Sequence, residues 1–269
     1  LTKEMMKRMK KMSKKFAVCF SGYPRFVRKQ FDSIKKNILD GLGEYDTYAY
    51  FQWKDNWQNE QIHHEYTDKF EVNELEEFKE LYEPLNLKKI EVIKPYNFDE
   101  EVAKVTSADP TMGLTLEQAQ DVFYRMKCQF QGMYDCAKLI DNLDDYEYII
   151  RMRTDLIPLS EIELKDLEAD APLNQDGFVA GPDRPWSDWF FIVPVQHIRF
   201  LEELAMGPQF NGSLMHTHTF IQNIGSPYRL EHHNFNIRTP TARGVELDQQ
   251  NYHVFAPQNQ IKGYTIIKR

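Results

Sequence analysis

An α/β domain with a mostly parallel central sheet flanked by helices is the fold this sequence predicts. Three observations carry it. Short apolar runs that end in polar loops alternate with stretches of helical periodicity. From Phe16 onward the order is strand, helix, strand, helix, strand. Hydrophobic residues make up 42% and charged residues 28% of 269, the balance of a chain that folds around a core rather than of a disordered or collagenous one. The length admits one large domain or two small ones.

The first strand is FAVCFSG, residues 16–22, a continuous apolar run ending in Ser-Gly, as suits a buried parallel strand that leads into a tight loop. Phe26, Phe31, Ile34, Ile38 and Leu39 follow at helical spacing, and Gly41 and Gly43 stop that helix. YDTYAYF (45–51) reads as a second strand, ELEEFKELY (74–82) as a helix and LKKIEVI (87–93) as a third strand. Between Lys94 and Gly113 two prolines and weak periodicity predict a loop. A long helix is expected from Leu116 to Leu143, with Phe123, Met126, Phe130, Met133, Ala137 and Ile140 along its apolar face. YEYIIRMRTDL (146–156) follows as a strand, then GFVAG (177–181) and DWFFIV (188–193) as short strands, and VQHIRFLEELA (195–205) as a helix.

Composition narrows the function. The net charge of −8 hides a basic start: residues 1–15 hold seven Lys/Arg and one Glu, a local +6, so the remaining 254 residues carry −14. An acidic body argues against a broad nucleic-acid surface. The opening segment, with Met5, Met6, Met9 and Met12 among its lysines, reads as a solvated helix or linker, with a membrane-surface helix as the alternative. Cys19, Cys128 and Cys136 are odd in number and widely spaced, which suits reduced buried thiols and a cytoplasmic setting. No apolar run approaches the ~20 residues of a membrane span. Neither G-x-G-x-x-G nor G-x-x-x-x-G-K-[ST] occurs, so no dinucleotide or P-loop fingerprint is present.

Two predicted strand ends are chemically loaded. The first continues as Ser21-Gly22-Tyr23-Pro24-Arg25: a glycine for close approach, an aromatic ring for stacking and a cation for phosphate. The other ends in Arg151-Met152-Arg153-Thr154-Asp155. In an extended segment side chains alternate, so Arg151, Arg153 and Asp155 would share one face, with Met152 and Thr154 on the other. A diphosphate with a divalent cation would neutralise such a set, since arginine grips phosphate bidentately and aspartate is a hard ligand for Mg²⁺ or Mn²⁺. Two readings stand side by side: that ligand site, or Asp155 simply pairing with an arginine or capping the turn before Pro158.

FAVCFSGYPR, the helical YRMKCQFQGMYDCAKLI and YEYIIRMRTDL together resemble a set of GT-A-type glycosyltransferases of the kind that bacterial polysaccharide loci and large viruses encode. In that family an R-x-R-x-D segment stands where other GT-A enzymes carry D-x-D. A D-x-x-F strand follows it, matched here by Asp188-Trp189-Phe190-Phe191. The similarity spans roughly residues 16 to 200, and R-x-R-x-D-L is its most specific part.

The resemblance implies one GT-A-like domain over 16–269, with a nucleotide-binding half at about 16–158 and an acceptor half at about 159–269. It implies transfer of a sugar from a nucleotide diphosphate sugar to a hydroxyl of a glycan or glycolipid acceptor. Asp155 would hold Mn²⁺ or Mg²⁺ against the diphosphate, with His232 or His233 as a late ligand to the metal or a hydrogen bond to phosphate. Arg153 replaces the first carboxylate of D-x-D, which puts metal dependence in question. Tyr23 and Arg25 match the nucleotide loop. Arg125, on the preceding helix, is placed where a cation reaches the diphosphate, whereas Lys127 is read as solvated. For an inverting transfer Asp188 is the first candidate base and Asp183 the reserve. Trp186 and Trp189 stack on an acceptor sugar or pack in the core. The pairs His216/His218 and His232/His233 lack the i, i+4 spacing of a zinc site. Arg238 and Arg243 fall on a C-terminal loop. Two alternatives remain: a carbohydrate- or nucleotide-sugar-binding protein without turnover, and a sugar-phosphate nucleotidyltransferase, whose glycine-rich basic loop is missing.

Overall fold

The computed structural model describes residues 15–53, 74–108, 110, 113–162, 164, 167–176, 186–207, 213–214, 217–233 and 237–238. In chain order the main elements are β1 (Lys15–Gly22), α1 (Val27–Asn37), β2 (Glu44–Gln52), α2 (Glu74–Tyr82) and β3 (Leu87–Ile93). They continue with α3 (Asp99–Val102), β4 (Ser107–Ala108), α4 (Leu116–Ala137), β5 (Tyr148–Met152) and β6 (Ile157–Pro158). The last are β7 (Leu173–Asp176), β8 (Trp186–Pro194), α5 (Arg199–Met206), β9 (Ser213–Leu214), α6 (Thr217–Gly225), β10 (Glu231–His233) and β11 (Ile237–Arg238).

Seven strands form one sheet in the order β10-β7-β8-β5-β1-β2-β3. The pairs β5–β1, β1–β2, β2–β3 and β7–β10 are parallel, and only β8 runs against its neighbours. The fold is therefore α/β with a mostly parallel sheet, as the alternation of elements predicts. Both expected halves contribute to this sheet, because β7, β8 and β10 join it beside β5.

The alternating residues of each strand fill two cores. Phe16, Val18 and Phe20 of β1 and Tyr148, Ile150 and Met152 of β5 pack with Ile34 of α1 and Phe78 and Tyr82 of α2. Ala17 and Cys19, with Ile149, Phe191 and Val193, face α4, α5 and α6 through Phe130, Met133, Phe200, Leu204 and Phe220. Each fully buried Val, Ile, Leu, Phe or Met among them contributes about 1.5–3 kcal/mol. This explains why the strands read as continuous apolar runs: both faces are covered. The three cysteines are free and buried.

Several elements differ from the sequence reading. The basic segment was expected over 1–15, but Lys15 already pairs with Glu44 in the sheet, and residues 1–14 lie outside the described residues. The long helix ends at Ala137, not Leu143, because the chain turns at Lys138–Ile140 and Asn142 then caps a short 3-10 turn. Its start matches the prediction, fixed by a capping box between Thr115 and Gln118. The 94–113 loop contains α3 and β4, and β4 pairs with β9. The 146–156 strand is only Tyr148–Met152, since Thr154 and Asp155 form a turn. Residues 177–181 lie outside the described residues.

Candidate functional site

Strand order locates the site before any side chain is considered. From β1 the chain builds outward through β2 to β3, then returns to place β5 on the other side of β1. The carboxyl ends of β1 and β5 thus flank a topological switch point, the crevice where open α/β sheets bind ligands. Both loaded loops of the sequence end there.

Gly22 closes β1 at φ 110, a backbone conformation that glycine alone adopts without strain. Tyr23, Pro24 and Arg25 then lead to Phe26, which sits in the left-handed region at φ 52. A non-glycine residue there costs roughly 1–2 kcal/mol, so neighbouring contacts must hold it. Glu74, the first residue of α2, provides them. Its carboxylate accepts the amide N–H of Phe26 at 3.0 Å and of Val27 at 2.8 Å. Helix α1 lacks both a capping side chain of its own and an acid in its first turn. Glu74 therefore caps it from a distant part of the chain. Burial raises the Glu74 pKa, and the two amide hydrogen bonds oppose that rise.

Thr154 joins the two loops. Its hydroxyl accepts from the Arg25 amide at 2.9 Å and donates to the Arg25 carbonyl at 3.0 Å. Alternation assigns Thr154 to the face opposite Arg153 and Asp155; the turn after Met152 cancels that alternation and brings Thr154 and Asp155 both against Arg25.

Asp155 is 1% exposed and lies at the centre of an arginine clamp. Arg153 binds it bidentately, Nε to Oδ1 at 2.8 Å and Nη2 to Oδ2 at 2.5 Å. Arg25 Nη2 reaches Oδ2 at 2.8 Å. Burial alone would raise the Asp155 pKa, but the two guanidiniums outweigh it and hold the carboxyl at about 2. Of the two readings of this aspartate, the described geometry is the arginine pair. The Arg151 side chain is fully buried and donates Nε to Ser21 Oγ at 3.0 Å, tying β5 to the end of β1. Three guanidiniums, Arg25, Arg151 and Arg153, are thereby collected at one end of the sheet of a chain with net charge −8.

Helix α4 forms the wall of the crevice. Gly132 packs against the end of β1, where an added Cβ would meet Gly22 N at 3.9 Å and Ser21 Cβ at 4.0 Å. From that contact to Leu116 is 16 residues, so α4 extends about 24 Å further toward its amino end at 1.5 Å per residue. Tyr23 lies against this stretch: burial raises its hydroxyl pKa, Cys128 and Tyr124 add to the rise, and Arg25 and Arg125 oppose it. Arg125 pairs with Asp121 one turn earlier at 2.8 Å. Lys127, expected in solvent, instead donates to the carbonyls of Ala205 at 2.7 Å and Met206 at 3.2 Å, capping the carboxyl end of α5.

The remaining candidates are placed by backbone register. Met152 pairs with Phe190, so Asp188, two residues earlier on antiparallel β8, stands beside the Arg153–Asp155 turn. Trp189 packs against the core on the α1 side, as the packing reading of that residue has it. His232 shares a row with Arg151 through Asn174 and Phe191, three strand spacings away, or about 14 Å. Asp183, His216 and Arg243 lie outside the described residues.

A divalent cation fits poorly at Asp155 in this arrangement. Both carboxylate oxygens already accept from guanidiniums, and a cation would enter between two positive charges. Among the described residues no group of three His, Cys, Asp or Glu side chains is placed to hold a metal. Sequence reasoning missed Glu74 and Thr154. Neither carries a local signal, since each acts on a segment at least 47 residues away.

No family model matches this chain, and no curated protein does. Among solved structures it is similar to the apo form of the glycosyltransferase GlyE of Streptococcus pneumoniae TIGR4, with 12% identity and a TM-score of 0.41. A second structure of GlyE gives 10% identity and a TM-score of 0.40. Each alignment covers 82% of this chain and 45% of the other, so the chain spans less than half the length of those proteins. No helix among the described residues is long and apolar enough to cross a membrane.

Proposed function

We propose that this chain is a glycosyltransferase that moves a sugar from a nucleotide diphosphate sugar to a hydroxyl of a glycan or glycolipid acceptor. One observation carries the reading. Arg25 and Arg153, from the loops after two adjacent parallel strands, meet on buried Asp155 at the switch point of the sheet.

A pair of guanidiniums only 15% and 18% exposed suits a diphosphate, and Asp155 keeps the pair in place until the anion arrives. In the transfer, the bond from the sugar C1 to the diphosphate oxygen breaks and its electron pair leaves with the nucleoside diphosphate. The acceptor oxygen bonds to C1 and its proton passes to a carboxylate. Fixed guanidiniums stabilise the charge that develops on the departing diphosphate, the role a metal plays in other transferases. Asp188, on the strand beside the clamp, is the proposed base for an inverting transfer, with Asp183 in reserve. Tyr23 is the proposed nucleotide contact, with Arg125 along the α4 wall.

A second reading has specific support: Asp155 is already engaged by arginines, which suits a nucleotide-sugar-binding protein without turnover. A thermal-shift series with UDP-, GDP-, CMP- and dTDP-linked sugars, each with Mn²⁺ and with EDTA, tests binding, because a ligand of the native state raises its transition. Release of free nucleoside diphosphate from the binding donor then separates enzyme from binder. Absence of any shift across the series would overturn both readings.

A further inference from the structure

We infer that Glu74 is a positioning residue of the diphosphate site, holding the Arg25 loop in its binding conformation through two backbone amides. The inference rests on the functional reading above and deepens it. Its starting point is the strained corner at Phe26, φ 52, directly after Arg25. Left alone, that residue would relax to an extended or right-handed backbone and carry Arg25 away from Asp155. The Glu74 carboxylate spans the corner, with Oε1 on the Phe26 amide at 3.0 Å and Oε2 on the Val27 amide at 2.8 Å. It is 5% exposed, so water does not substitute for it.

Arg25 is thus fixed from both sides: Thr154 holds its own amide and carbonyl, and Glu74 holds the next two amides. Helix α1 adds a reason for a charged cap. Its amino terminus concentrates positive partial charge, which a carboxylate offsets better than a neutral side chain. Among the described residues, Glu77 opposes the ionised form of Glu74 and Arg25 favours it.

Charge and position predict opposite signs, and this separates them. Acting only as a negative charge near Arg25, Glu74 would weaken anion binding, and Glu74→Gln would tighten it. As the strut of the loop, Glu74→Gln weakens binding. The glutamine oxygen serves one amide while its NH₂ group faces the other donor. Glu74→Asp, with the same charge but one methylene shorter, weakens it too.

The experiment is a double-mutant cycle on the full chain. UDP, GDP, ADP, dTDP and inorganic pyrophosphate are titrated calorimetrically against wild type, Glu74→Gln, Arg25→Ala and the double variant. The same proteins are followed by amide hydrogen exchange over Arg25–Arg28. The expected result is at least a fivefold loss of affinity in Glu74→Gln, less than a twofold further loss when Arg25 is already alanine, and faster exchange at Phe26 and Val27. Unchanged or tighter binding in Glu74→Gln overturns the inference, as does an effect that simply adds to that of Arg25→Ala. A wild type that binds none of the five probes overturns the functional reading instead. The exchange result then decides alone whether Glu74 holds the loop.

Discussion

At the amino end of the sheet a buried aspartate, Asp46, is held by side chains that can exist without it; at the carboxyl end Asp155 is held by side chains that cannot. Asp46 accepts from the Tyr146 hydroxyl at 2.6 Å and pairs with Lys15 at 2.8 Å and Lys88 at 3.4 Å, while Tyr146 and Tyr48 share a hydrogen bond at 2.8 Å. The lysines are 34% and 50% exposed, so water solvates them with or without the aspartate. Burial works to raise the Asp46 pKa, and Lys15 and Tyr146 bring it below the ordinary value instead. At the carboxyl end the partners are guanidiniums only 15% and 18% exposed, on loops rather than paired strands. The first arrangement closes a sheet end. The second holds two guanidiniums mostly away from water, on loops at the carboxyl end of the sheet.

Removing each carboxylate in turn should separate the two ends most strongly. Asp155→Asn should cost about 3–5 kcal/mol, the loss typical when one partner of a buried pair leaves the other's charge uncompensated. Asp46→Asn should cost about 1–3 kcal/mol, the cost of disturbed buried hydroxyls, with no change in nucleotide binding. Urea unfolding of the two variants checks the order, and equal losses would remove the distinction. Next in size, Arg25→Ala and Arg153→Ala should each weaken nucleoside diphosphate binding about 10- to 100-fold, from roughly 1.5–3 kcal/mol per charged hydrogen bond. Calorimetric titration reads this directly, and Lys88→Ala serves as the amino-end control with unchanged affinity.

Acid sharpens the contrast further. Asp155 has a folded-state pKa of about 2, below the ordinary ~3.9 of an unfolded chain, so its contribution is present above pH ~4 and is lost as pH falls toward 2. Wild type should therefore lose stability across that window with a steeper slope than Asp155→Asn. Parallel acid-unfolding curves would show that the arginine clamp contributes nothing. Because both Asp155 oxygens are occupied by guanidiniums, EDTA should change nucleoside diphosphate affinity less than twofold. A tenfold loss would assign Asp155 to a cation instead. The smallest effect is expected at Gly132, where an added Cβ meets only ordinary contacts. Gly132→Ala should gain up to about 1 kcal/mol from helix propensity, seen as a modest rise in the thermal transition.

Legibility varied with the range of the physics. β3 and α2 match the read boundaries at 87–93 and 74–82, because hydrophobic spacing is a local signal. The start of α4 was readable from Leu116, while its end at Ala137 was not: apolar residues continue to Ile140 although the backbone has already turned. In the site, the two loaded loops were legible as strand ends. The alternation inferred for Arg151 to Asp155 failed at Arg153, where the strand stops and a turn begins.

Residue type and periodicity alone determined that this chain builds an α/β core and that cations gather after the strands read at 16–22 and 146–156, since burial period and side-chain chemistry are written residue by residue. Only the tertiary structure decided that Asp155 closes on Arg25 and Arg153, that Thr154 staples the two loops, and that Glu74 caps α1. Each of these is a pairing between segments far apart in sequence. Such a pairing exists only once the strand order has brought two loop ends within hydrogen-bond reach, and no spacing along the chain encodes that distance.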